Sequence, residues 1–180
     1  MIFFFALITA ASASADWAQL SAQLHGIDHV HCAFAQEKKS VLFKTVLHSS
    51  GIIDVGKGPA LRLEMKLPDP AVLEVKGSEA TMTANGKTEH LPIDKVPQVQ
   101  AFLSAFSDLF LGRTESLERA FTLQRTSTAA DGALTAVLAP KESAVFSDAE
   151  VTFAGGVAER VLLHEAGGDV TTIVLTQCKK

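Results

Sequence analysis

Two histidines set two residues apart, His29 and His31, form the most suggestive arrangement for chemistry in this chain. On a strand that spacing puts both imidazoles on one face, and Cys32 follows directly. A His-x-His pair can begin a zinc site, but the site needs a third protein ligand, and only His25 lies nearby in sequence. Solvent-facing histidines beside the first helix are the simpler reading, so no metal and no cofactor are expected. The chain has no Gly-x-Ser-x-Gly elbow, no His-Glu-x-x-His and no Gly-rich phosphate loop. Its carboxylates alternate with Lys and Arg, as in Arg62-Leu63-Glu64-Met65-Lys66, which is the pattern of a solvated strand face. No catalytic residue emerges, and the chain does not read as an enzyme.

Cys32 and Cys178 are the other reactive pair, and their state depends on the compartment. Residues 1–15 read as a secretory signal peptide. Ile2 to Ala10 supplies the apolar core, and Ala13-Ser14-Ala15 is a small-residue cleavage site before Asp16. No Lys or Arg precedes the apolar run, which is unusual for such a leader. The run is also shorter than the roughly 20 residues that span a bilayer. No Cys follows the cleavage site, so a soluble periplasmic protein is expected rather than a lipid-anchored one. In an exported protein an even cysteine count favours a Cys32–Cys178 disulfide, with two free thiols as the alternative.

Residues 16–180 give room for a single domain with a real core. Apolar residues make up 47% of the chain and charged ones 20%, which argues against disorder. The formal charge of −4, with no block of basic residues, leaves no electrostatic footprint for nucleic acid. A monomer is expected.

The elements that must position these residues are mainly strands. Val30–Gln36 alternates, and residues 42–55 give a second strand with a bend at Ser49-Ser50-Gly51. Leu61, Leu63, Met65 and Leu67 alternate with Arg62, Glu64 and Lys66, and Leu73 and Val75 with Glu74 and Lys76. Gly56-Lys57-Gly58-Pro59 precedes these two strands, and Pro68-Asp69-Pro70 turns between them. Asn85-Gly86 marks a hairpin joining residues 79–84 and 87–91. Val99, Phe102, Leu103, Phe106, Leu109 and Phe110 then recur at three and four, which predicts a helix over 98–111. Pro97 starts it and Gly112 is placed to end it. A short helix from Trp17 and a helical turn at Glu115–Arg119 complete the helical part. Alternation returns near 121–127, 133–139, 149–154, 158–165 and 169–177, with Gly-rich turns between.

A sheet of about ten antiparallel strands must curl, and its concave apolar face needs a cover. The expected fold is α+β but mainly β: a long curved antiparallel sheet, an unclosed half-barrel, with a helical lid over an apolar cavity. Leu61, Leu63, Met65, Leu73, Val75 and Met82 from the sheet would line that cavity, with Phe102, Phe106 and Phe110 from the lid. The same Phe stripe serves equally well as ordinary core. Two methionines would suit a cavity that adapts to variable chains.

These residues also carry a resemblance. Phe34-Ala35-Gln36-Glu37-Lys38 is followed by Gly51, and Lys57, Leu61, Arg62, Pro68, Val72, Leu73 and Gly77 then follow without a gap. In this spacing the chain resembles the periplasmic outer-membrane lipoprotein carrier (LolA) family. The resemblance implies an unclosed barrel with helices across its mouth. It implies a non-enzymatic function: acyl chains of lipoproteins are carried from an inner-membrane release complex to an outer-membrane acceptor. It places Lys57 and Arg62 at the cavity mouth, where the residue at the Lys57 position governs lid opening. The chain departs from the pattern in three places. Lys57 stands where Arg is usual, Leu63 stands where an aromatic is common, and residues 78–82 lack the usual aromatic pair. A LolA-like carrier or sensor for another lipid or glycolipid, such as an aryl-polyene cargo, is therefore the alternative.

Overall fold

The computed structural model describes residues 17–43, 45–57, 60–95, 97–142 and 146–180, without the side chains of Pro97, Gln98 and Phe102. The expected signal peptide, and Gly58-Pro59 of the expected turn, lie outside the described residues.

A short helix α1 (Trp17–Gln23) leads into six strands that meander outward: β1 (His29–Lys39), β2 (Val46–Gly56), β3 (Ala60–Leu67), β4 (Ala71–Lys76), β5 (Glu79–Ala84) and β6 (Lys87–Leu91). A single 3-10 turn, Ile93–Lys95, precedes α2 (Pro97–Phe110) and α3 (Thr114–Ala120). The chain then meanders back through β7 (Phe121–Thr128), β8 (Leu134–Pro140), β9 (Phe146–Ala154), β10 (Val157–Glu165) and β11 (Val170–Lys179). The result is one antiparallel sheet in the order β6-β5-β4-β3-β2-β1-β11-β10-β9-β8-β7. First and last strands meet at its centre. Its edges, β6 and β7, are joined by the helical segment rather than by hydrogen bonds, so the half-barrel stays open, as expected.

Period-two burial explains why these segments are strands. Leu134, Ala136 and Leu138 of β8 are buried on one face, as are Ala149, Val151 and Phe153 of β9 and Val30, Cys32 and Phe34 of β1. Gly51 in β2 has a specific cause. A Cβ there would lie 1.9 Å from the Glu64 carbonyl oxygen and 2.9 Å from the Phe34 ring. Only glycine lets β3 approach at this point, where the β2–β3 register shifts between Ser50 and Gly51.

The central seam is fixed covalently. Cys32 and Cys178 are bridged, with Cα atoms 4.2 Å apart. A local irregularity makes this possible. Thr171, Ile173 and Leu175 alternate inward along β11, so Gln177 would be the next residue to face Cys32. Gln177 instead takes φ +54, the β1–β11 register shifts there, and Cys178 turns to Cys32.

The helices close one end. Leu20 and Leu24 of the α1 region are buried, and Ile27 N–H donates to the Leu111 carbonyl at 2.8 Å. Gly112, at φ +63, ends α2; a Cβ there would meet Leu24 Cβ at 3.3 Å. One expectation fails at the other end. β2 starts at Val46, not at Leu42, and Val41-Leu42-Phe43 forms the exposed tip of the β1–β2 hairpin. Those side chains are apolar but extend beyond the neighbouring strands, so no second layer buries them.

Candidate functional site: an apolar trough half covered by a helix

α2 treats its two flanks differently. On one flank Phe106 and Leu109 lie over Phe121, Leu138, Phe146 and Leu163 of the β7–β10 half, leaving a gap of only about 20 Å³. Phe106 and Phe110 pack edge to face, with centroids 4.6 Å apart. On the other flank Gln100, Leu103, Ser104 and Ser107 face Val75 and Ile93 across a cavity of about 360 Å³. The lid is sealed against one half of the sheet and stands off the other.

Strand register shows how the second half is built. One transverse row runs Ala80, Val75, Leu61, Val55, Val30, and every member is buried. The next runs Met82, Leu73, Leu63, Ile53, Cys32; its first three members are only half-buried. The third runs Ala84, Ala71, Met65, Gly51, Phe34, and again Met65 is only half-buried. The apolar face is thus covered at the helix end and uncovered toward the far rim, where the hairpin turns lie.

The predicted cavity residues divide along this gradient. Val75 lines the cavity against α2, while Leu61 and Phe110 are buried in the core. Leu63, Leu73, Met65 and Met82 form the uncovered trough. Met65 also borders an open groove of about 590 Å³ with Arg62, Lys66 and Val72. Phe106 belongs to the sealed flank, so substitution there tests core packing as much as any cavity. The Phe102 side chain lies outside the described residues.

The two basic residues expected at the mouth, Lys57 and Arg62, are both paired with carboxylates. Arg62 is on the opposite face of β3 from Leu61 and Leu63, where its guanidinium donates to Glu74 at 2.5 Å and to Glu64 at 3.4 Å. Period two requires this: Arg62 pairs across the ladder with Glu74, whose neighbours Leu73 and Val75 face the core side. Lys57 is 76% exposed in its turn, and its ammonium lies 3.4 Å from Asp28.

A charged cluster does stand at the uncovered end, and it involves Lys38. Phe34, Gln36 and Lys38 share a face of β1, so Lys38 points along the trough toward the far rim. Its ammonium donates to both Glu165 oxygens, at 2.9 and 2.7 Å, and lies 3.4 Å from Asp169. Thr171 donates to the same Glu165 carboxylate at 2.8 Å. The hydrogen bond to Glu165 raises the Lys38 pKa against the opposing effect of desolvation. Asp169 is held below its ordinary value chiefly by the Val41 backbone N–H, at 2.9 Å. The period-two run Phe34-Gln36-Lys38 was the available signal for Lys38; its partner is 127 positions away.

The histidine pair meets a partner that its own spacing does not announce. His29 Nε2 and His31 Nδ1 contact the two oxygens of Asp54 on β2, at 3.1 and 2.9 Å. Among the described residues no group of three such side chains is arranged to hold a metal ion. No described helix is long and apolar enough to cross a membrane.

The family profile described as outer membrane lipoprotein carrier protein LolA matches residues 25–180. The chain belongs to the LolA family. Among solved structures it is similar to a LolA superfamily protein from Nitrosomonas europaea, at 9% identity, TM-score 0.46, covering 90% of this chain and 92% of that one. It is similar to a Vibrio parahaemolyticus domain described as an outer membrane lipoprotein-sorting protein, at 9% identity, TM-score 0.44, covering 91% and 90%. It is also similar to the lipoprotein LppX of Mycobacterium tuberculosis, at 14% identity, TM-score 0.44, covering 91% and 93%. No curated protein matches the chain. Within the LolA family, then, this member has its uncovered apolar face on the β3–β5 side and its inward-facing lysine on β1.

Proposed function

We propose that this chain is exported with residues 1–15 as its signal peptide and works in the periplasm as a carrier of acylated cargo. Lipoprotein acyl chains would lie on the trough of Leu63, Met65, Leu73 and Met82, under the free flank of α2. An inner-membrane release complex would load it and an outer-membrane acceptor would unload it. Family membership over residues 25–180 supports the class of activity. The observation that carries the reading is the burial gradient across β3–β5: apolar side chains in ladder register, left half-covered beside a cavity of about 360 Å³. That volume is in the range of ligand pockets, roughly 300–1,000 Å³.

Energetics favour hand-over rather than storage. Each buried CH₂ contributes about 0.8 kcal/mol, so a 16-carbon chain gains roughly 12 kcal/mol on leaving water. A trough that matches the bilayer to within a few kcal/mol would let the chain pass on.

One observation favours a second reading, a carrier or sensor for another lipid or glycolipid. Lys57 holds the place that the family resemblance gives to the latch, yet it is exposed and paired with Asp28. Mass spectrometry of lipid co-purified from the periplasm separates the two. Triacylated peptide supports the lipoprotein reading and a glycolipid supports the second. No bound lipid, together with no uptake of a fluorescent acyl probe, overturns both.

A further inference from the structure

The large apolar side chains that this protein exposes are not scattered. Six of the eight most exposed among the described residues lie at the far rim, on β1–β3 and their turns: Val41, Leu42, Phe43, Val46, Leu47 and Leu67. At the tip Leu42 is 85% exposed and Phe43 73%. Large apolar side chains gathered at one rim in this way mark a contact surface.

The tip is presented on a fixed base. Ser40 is buried, and its N–H closes the hairpin onto the Thr45 carbonyl at 3.2 Å. Val41 N–H is held by Asp169, and Lys38, one turn of the pleat below, by Glu165 and Asp169. The β10–β11 turn thus braces the β1–β2 hairpin. Beyond the brace, Val46–Ser49 has no partner on β3, because β2–β3 pairing ends at Ser50–Leu67. The hairpin projects past its neighbour.

We propose that this projecting tip docks on a phospholipid bilayer, inserting Leu42 and Phe43 among the acyl chains. Three observations favour lipid over a protein partner. The hairpin itself carries no carboxylate between Glu37 and Asp54, and Asp169 and Glu165 of the bracing turn are paired with Lys38 at its base. Exposed Lys39 and Lys66 flank the apolar residues, as suits phosphate headgroups. The patch is aliphatic with one Phe and has none of the Trp, Tyr or Arg that anchor protein interfaces. The tip is also continuous with the trough: Leu47 lies opposite Lys38 in the ladder, on the face that carries Phe34. Docking would turn the uncovered end of the trough toward the membrane.

The test is co-sedimentation of the purified chain with vesicles of phosphatidylethanolamine and phosphatidylglycerol, at low and high salt. The wild type should partition onto vesicles and keep most of that binding at high salt, because the apolar contribution dominates. Leu42→Ser with Phe43→Ser should lower the partition coefficient about tenfold or more. Val174→Ser, at an exposed apolar position on β11, should leave it unchanged. All three proteins share every other apolar segment, so the difference reads the tip alone. Unchanged melting curves would show that the fold is intact. Equal partition of the double variant and the wild type overturns the proposal. So does a wild type that ignores vesicles but forms a dimer that the double variant abolishes, since the tip would then serve self-association.

Discussion

Asp54 shows how a single residue changes the meaning of a motif. Its carboxylate sits between His29 and His31, so the His-x-His pair is engaged with a neighbouring strand. Partial burial works to raise its pKa, but the hydrogen bonds from His31 and His29 outweigh this and hold it below the ordinary 3.8. A carboxyl depressed on folding stabilises the native state above its unfolded pKa, and that stability is lost as pH falls through the folded value. Asp54→Asn should therefore lower the melting temperature near neutral pH, and the gap should close as pH drops below about 4. A gap independent of pH, measured by thermal melts from acid to neutral, would show that ionisation is irrelevant. Lys38 works in the opposite sense. Its pKa is raised, so its contribution is complete at neutral pH and fades only as pH climbs above 10.5 through the folded value. Lys38→Met would leave Glu165 without its counter-ion and should cost about 1–3 kcal/mol in urea unfolding. Glu165→Gln in the same chain should restore part of that loss.

Among the elements, strands were legible and their irregularities were not. Period-two alternation locates β3, β4 and every strand from β7 to β11 within a few residues, because each has one buried and one wet face. Val41-Leu42-Phe43 is an unbroken apolar run where nothing covers the chain, so reading apolar residues as strand extended β2 too far. The bulge at Gln177 left no mark in sequence, although it aims Cys178 at Cys32. Two consequences can be measured. The bridge spans 146 positions, and chain entropy sets its contribution at about 5 kcal/mol or less. Thiol titration of denatured, unreduced protein should find no free thiol, and reduction should lower stability by about 2–5 kcal/mol. Gly51→Val would drive a side chain into the Glu64 carbonyl and should cost about 3 kcal/mol or more, read as a lower urea midpoint. A neutral Gly51→Val would mean that β2 and β3 can part there cheaply.

For the molecule as a whole, the half-barrel and its helical lid follow from composition and periodicity, but the asymmetry of the cover does not. Nothing in the Phe stripe says that Phe106 seals against β7–β10 while Leu103 stands off Val75. That depends on where α2 settles, which is set by Leu111, Gly112 and Leu24 at the closed end. The asymmetry makes stability and cargo binding separable by position on one sheet. Val55→Ser falls in the buried row and lines neither the cavity nor the trough, so it should cost about 2 kcal/mol or more, with acyl-probe affinity impaired only through unfolding. Leu73→Asn and Met82→Asn fall in the half-covered row, so each should cost less than about 1 kcal/mol. Each should nevertheless weaken a fluorescent acyl probe several-fold, because a polar amide would face the chain without a partner. Probe titrations beside urea melts on the three variants decide it. If Leu73→Asn and Met82→Asn bind the probe as well as the wild type while remaining folded, the trough is an ordinary half-exposed sheet face, and the acyl chain must be sought elsewhere.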